Sequence, residues 1–209
     1  MYAVQAEAMG MAPAPKAELG FSLIELLAAT AISLMVLAAV TSVFISGFNR
    51  SSQRALQLML AQDTNDALRM IKGDILRAGF VSGSSSTFII SGASKTVYLD
   101  TPVAGVSTCM AYGYNDGSDE HYRSYYLKDN RLNVFMTKSS VIGTSKACKN
   151  GHSVLDYTQM KVTKFLITEK LIASGTASSQ LLTIQLDVST LEDEFSVSKI
   201  AKVKTRNWY

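Results

Sequence analysis

Apolar residues are distributed very unevenly along this chain. Residues 26–48 are 23 consecutive positions without a charge, built from Leu, Ala, Ile, Val and Met with a few Ser and Thr and no Pro. At about 1.5 Å per residue a helix of this run spans roughly 35 Å, enough to cross a bilayer. Its hydroxyls can bond back to the helix, so they need not interrupt it. A secretory signal peptide is the competing reading, but its apolar region runs only about 7 to 15 residues. The run therefore predicts a membrane-spanning helix.

After Phe48 the chain turns polar through Asn49, Arg50, Ser51, Ser52, Gln53 and Arg54, with no proline or turn pair, so the same helix is expected to continue. Apolar residues at 60, 67, 68, 71, 75 and 78 fall on one helical face. Asp63, Asn65, Asp66, Arg69, Lys72 and Asp74 are expected largely off it. The stripe is expected to pack on the protein's own sheet rather than on a partner helix, and Gly79 to close the helix as its C-terminal cap.

Residues 82–87, Ser-Gly-Ser-Ser-Ser-Thr, predict a flexible link. The pattern then changes to short β-rich runs bounded by Gly, Asn, Asp and Ser. Strands are expected at 87–90, 96–99, 109–114, 122–127, 131–136, 159–169, 180–188 and 195–204, with a hairpin turn at Lys128-Asp129-Asn130. The run 180–188 alternates cleanly, with Leu182, Ile184, Leu186 and Val188 on one face, so one side of an antiparallel sheet should be buried. The predicted fold class is α+β: a long N-terminal helix, half membrane-spanning and half amphipathic, packed on a C-terminal antiparallel β-domain.

Composition narrows the function classes. The 209 residues carry 20 Lys plus Arg against 17 Asp plus Glu, a net charge of +3, with the basic residues scattered, which argues against a nucleic-acid binder. At 47% apolar the chain is too hydrophobic for disorder. Two Cys and two His exclude a four-Cys zinc site and leave little for a His-rich metal centre. No nucleophile elbow, phosphate loop or metal-ligand cluster appears, so neither catalysis nor a cofactor is expected.

One charge stands at the edge of the apolar block. At bilayer depth Glu25 would cost on the order of 2.5 to 3.5 kcal/mol, which calls for a positive partner, and the nearest candidate is an amine. Here Gly20 followed by Phe21-Ser22-Leu23-Ile24-Glu25 resembles the processing motif of type IV prepilins and type II secretion pseudopilins. The resemblance implies that residues 1–20 are a leader, that a membrane peptidase cuts after Gly20, and that Phe21 is N-methylated. It also implies that Glu25 pairs with the N-terminal ammonium of a neighbour as apolar helices stack, so that two lone charges become one pair. Removing the leader takes away Glu7, Lys16 and Glu18 and leaves a net charge of +4.

The run from Leu68 to Phe80, closing in Arg77-Ala78-Gly79-Phe80, resembles the helix end of PilW-type minor pilins, as does the Arg206-Asn207 close of the chain. A GspJ-like secretion pseudopilin is the sibling family. Position 42 is Ser where many major pilins carry a helix-bending Pro, which implies a more continuous helix. By this resemblance residues 21–48 are the transmembrane and assembly half of the helix, 49–80 its amphipathic half, and 81–209 a periplasmic globular domain. Before assembly the protein would sit in the inner membrane among lipid, and afterwards in the pilus fibre. The implied partners are the prepilin peptidase, other minor pilins, the major pilin and the inner-membrane assembly platform. The reading from a different class is a membrane-anchored periplasmic receptor or enzyme.

For an exported domain, an oxidising compartment favours a disulfide between Cys109 and Cys148. The competing reading is a reactive thiol, for which His152 is the nearest histidine. Asp116, Asp119 and Glu120 group three carboxylates in one loop, a weak calcium candidate against the plainer reading of a solvated Asp-Gly turn. Tyr112, Tyr114, Tyr122, Tyr125 and Tyr126 cluster near this loop, as sheet packing rather than interface anchors.

Overall fold

The computed structural model describes residue 20 and residues 22–100, 102–138, 143–175 and 177–207. The leader up to residue 19, Phe21 and the closing Trp208-Tyr209 lie outside the described residues. Two compact units divide the chain, Met1–Ser51 and Ser52–Tyr209. The fold is α+β, with one long helix and antiparallel sheets.

Helix α1 runs unbroken over Leu23–Ile75, as expected for a stretch whose interior holds no proline. In the first unit its apolar side chains are exposed, Leu23 at 76%, Leu34 at 66% and Phe44 at 75%. In the second unit the pattern reverses. Leu60, Ala67, Leu68, Ile71 and Ile75 are buried, with Ala78 just beyond the helix.

That stripe shares one core with the inner faces of two sheets. The first sheet has the order β1-β3-β4-β5-β6, with β1 Val97–Leu99, β3 Cys109–Asn115, β4 Glu120–Lys128, β5 Arg131–Lys138 and β6 His152–Ser153. The second has the order β2-β7-β8-β9, with β2 Val106–Ser107, β7 Met160–Ser174, β8 Ala177–Thr190 and β9 Ser196–Lys204. Its inner face presents Phe165, Ile167, Leu182, Ile184, Leu186 and Val203, the alternation read from the sequence. Each fully buried side chain of this kind contributes about 1.5–3 kcal/mol.

The Asp129-Asn130 turn joins β4 to β5 with φ of 53° and 54°, the left-handed pair that matches strand twist. The sheets are tied by Gln180, whose buried side-chain amide accepts from Val97 N–H at 2.7 Å and donates to Val97 C=O at 2.7 Å. A side chain of β8 thus stands in for a neighbouring strand beside β1.

Three expectations change. Residues 87–90 form no strand. Phe88 and Ile90 instead cover the outer face of the first sheet, packing with Ala111, Tyr122 and Ala147. Apolar alternation was present, but it serves a covering segment rather than an edge. Gly113 makes room for this: a Cβ there would stand 2.5 Å from Phe88 Cε1. Second, the helix ends at Ile75, four residues before Gly79, and a turn over 76–79 completes the chain reversal. Gly79 does adopt φ +77°, donates to Gly113 C=O at 2.8 Å, and has no space for a Cβ, which would meet Thr96 Cγ2 at 2.5 Å. Third, β7 extends to Ser174, because its long hairpin with β8 continues to Ser174↔Ala177.

Candidate functional site

At the N-terminal site, Ser22 caps α1. Its carbonyl accepts from Glu25 N–H at 3.0 Å and Leu26 N–H at 3.1 Å, while Glu25 Oε2 accepts from Ser22 N–H at 2.9 Å. This is the reaching-back half of a capping box, satisfying an orphan donor at the helix start with a carboxylate that also suits the helix dipole. The Ser-x-x-Glu spacing carried that signal, and the sequence reading, occupied with the charge, missed it. Glu25 is thereby held at the first turn with Oε1 unpartnered among the described residues.

Gly20 is exposed, and a Cβ placed there would meet nothing within 4 Å. No crowded contact requires glycine at this position. Downstream, the apolar half of α1 is the one helix among the described residues long and apolar enough to cross a membrane. Two threonines within it bond back as expected: Thr30 Oγ1 to Leu27 C=O at 2.9 Å and Thr41 Oγ1 to Leu37 C=O at 2.8 Å.

The second half of the helix is held to its sheet by a polar group that the sequence reading placed wrongly. Asp74, expected off the apolar face, is buried. Its Oδ2 accepts from Arg123 Nη1 and, at 2.5 Å, from Tyr125 Oη. Counted at 100° per residue, position 74 lies on the edge of the stripe that 60, 67 and 71 define, which is the signal that could have found it. Burial first, and then Asp74, push the Tyr112 and Tyr125 hydroxyls up and keep both neutral; Tyr125 donates to Asp74, whereas Tyr112 Oη is buried without a hydrogen-bond partner among the described residues. Burial opposes the Arg123 charge, but Asp74 and the surrounding hydroxyls outweigh it and hold the guanidinium protonated.

Cys109 and Cys148 form a disulfide with Cα atoms 6.1 Å apart. Cys109 lies on the outer face of β3, and Cys148 belongs to the segment that covers that face with Ala147, so the bond fastens cover to sheet. His152 is exposed in β6.

The loop between β3 and β4 uses its carboxylates internally. Asp116 Oδ1 accepts from Ser118 N–H at 3.0 Å and Asp119 N–H at 2.8 Å, and Oδ2 pairs with His121 Nε2 at 2.6 Å. The backbone bond from Asp119, then the His121 contact, hold the Asp116 carboxyl well below its ordinary range. Glu120 accepts from Tyr122 Oη at 2.8 Å instead, and Asp119 stands 3.7 Å from Lys138. The three carboxylates of the calcium candidate thus face three different partners, and among the described residues no cluster of three ligating side chains forms. The five tyrosines are all buried, so they are packing residues.

Two family profiles match the chain. "Prokaryotic N-terminal methylation motif" covers residues 15–41, and "Prepilin peptidase-dependent protein B" covers residues 53–205. No curated protein and no solved structure matches it. The first profile spans Gly20, Glu25 and most of the uncovered apolar half of α1, while the second spans nearly all of the self-packed unit, from the amphipathic half of α1 to the end of β9. With that match over most of its length, the chain belongs to the prepilin peptidase-dependent protein B family and is a type IV prepilin-like protein.

Proposed function

We propose that this protein is a minor pilin of a type IV pilus, acting in initiation of the fibre from a priming complex or its tip. One observation carries the reading: the Gly20 to Glu25 motif opens directly onto an apolar helix half that the chain's own fold leaves bare. A peptidase hydrolyses the bond after Gly20, the new amine of Phe21 is methylated, and residues 21–48 hold the subunit in the inner membrane with its β-domain in the periplasm. On assembly the bare helix exchanges lipid for neighbouring helices of other minor pilins and the major pilin. The capped Glu25 keeps one oxygen for a neighbour's ammonium, which spares two isolated charges in an apolar surrounding. The role is structural; no residue here is assigned a catalytic task.

Glu25→Ala tests this in a strain lacking the native copy. Cleavage should stay nearly intact, because Gly20 is unchanged, while piliation and recovery of the subunit with its partners should fall. Piliation at the unmodified level would contradict the reading. Loss of protein secretion with pili retained, on deletion of the whole gene, would move the chain to a secretion pseudopilus.

A further inference from the structure

The outer face of the second sheet is open, and it is patterned. Strand register places Lys164, Asp187 and Ser198 in one cross-strand row, then Leu166, Gln185 and Ile200, then Thr168, Thr183 and Lys202, then Lys170, Leu181 and Lys204. In these rows, among the described residues, four lysines flank apolar positions on one face, with Asp187 the one carboxylate. Asp187 is partly buried, and hydrogen bonds from Ser198 and Gln185 and the nearby Lys164, 3.6 Å away, satisfy it. Lys170 and Lys202 are exposed and form no ion pair among the described residues, and Ile200 is 63% exposed between the charged rows. With strands about 4.8 Å apart, the backbone positions of Lys170 and Lys204 are roughly 10 Å from each other.

We propose that this face, β7-β8-β9, docks an acidic amphipathic segment of a partner protein. Carboxylates of that segment meet Lys170 and Lys202, and its apolar side chains meet Leu166, Leu181 and Ile200. Charge complementarity of this kind speeds encounter and selects partners, and it is screened by salt. The apolar positions Leu166, Leu181 and Ile200 among the lysines favour a polypeptide over a phosphate polymer: they would lie idle against a phosphodiester backbone, whose readers place aromatic or guanidinium planes where bases stack. This proposal uses no residue of the processing motif, so it stands whether or not the minor-pilin reading does.

Fluorescence anisotropy tests it on the full chain in neutral detergent, with three probes: an alternating Glu-Leu decapeptide, an alternating Glu-Gln decapeptide and inorganic polyphosphate. The Glu-Leu peptide should bind most tightly, losing at least tenfold in affinity in the K170E/K202E variant and severalfold in I200T. Both variants alter exposed side chains and should keep the circular dichroism of the parent. Equal binding of the Glu-Leu peptide to the parent and K170E/K202E would overturn the proposal. Equal binding of the Glu-Leu and Glu-Gln peptides would do the same, as would tighter binding of polyphosphate than of either peptide.

Discussion

The two halves of α1 share one helix, the first far richer in apolar residues than the second, yet it is the second that buries its apolar stripe. From Leu23 to Phe48 the apolar side chains are exposed, whereas Leu60, Ile71 and Ile75 are at 0–1%. The difference lies in arrangement. In the first half apolar residues occupy the whole circumference, which no single sheet could cover and which suits lipid or surrounding helices. In the second half the buried ones occupy one stripe, with Asp66 and Arg69 at its back, and Leu58 and Met70 stay exposed off it. The comparison teaches that one continuous helix can carry a stability contribution in one half and an assembly surface in the other.

The largest expected effect that would break this comparison concerns the disulfide. Reducing Cys109–Cys148, or replacing both with Ala, opens a loop of sequence separation 39 and should cost about 4 kcal/mol in the chain-entropy account. Denaturant unfolding of the full chain in detergent, followed by near-ultraviolet circular dichroism, reads it. The first half of α1 should keep its helical signal throughout. Next comes a direct contrast. Ile71→Ala should destabilise the β-unit by about 3 kcal/mol, within the usual range for a fully buried aliphatic side chain. Leu34→Ala should leave the same unfolding midpoint unchanged. Equal effects of the two would erase the distinction between the halves.

Asp74→Asn sharpens the account of how the second half is fixed. It leaves the Arg123 guanidinium without its carboxylate, at a cost of about 2–3 kcal/mol, below the range for a fully buried pair because Arg123 reaches solvent. Asp74→Asn with Arg123→Met should recover part of that loss. The smallest effect belongs to the β3-β4 loop. The folded Asp116 carboxyl is depressed, so its contribution is present above the unfolded value, roughly pH 4, and is lost as pH falls through the lower folded value. Amide exchange at Ser118 and Asp119 should accelerate on acidification below that point in the parent and be pH-insensitive, after correction for intrinsic rates, in Asp116→Asn.

Much of the architecture was legible because it rests on period alone. The stripe at 60, 67, 68, 71, 75 and 78 and the alternation at 182, 184, 186 and 188 both became core. What stayed hidden depends on partners distant in sequence. Residues 87–90 have strand composition, but only the fold reveals that Gly113 opens a seat for Phe88. Asp74 reads as a surface charge until β4 brings Arg123 and Tyr125 beside it, 49 and 51 residues on. Gln180 sits among strand residues with nothing local to mark it as the tie to Val97. The N-terminal site was legible in the opposite way, since its motif is contiguous, and the structure added the Ser22–Glu25 cap.

The central claim is that the chain is cut after Gly20, so that the bare helix begins at a processed end. Intact mass and N-terminal sequencing of the membrane-extracted protein, from cells with and without prepilin peptidase, test it most directly. The account predicts a chain beginning at methylated Phe21 only where the peptidase is present. A chain of unchanged length in both strains would contradict it.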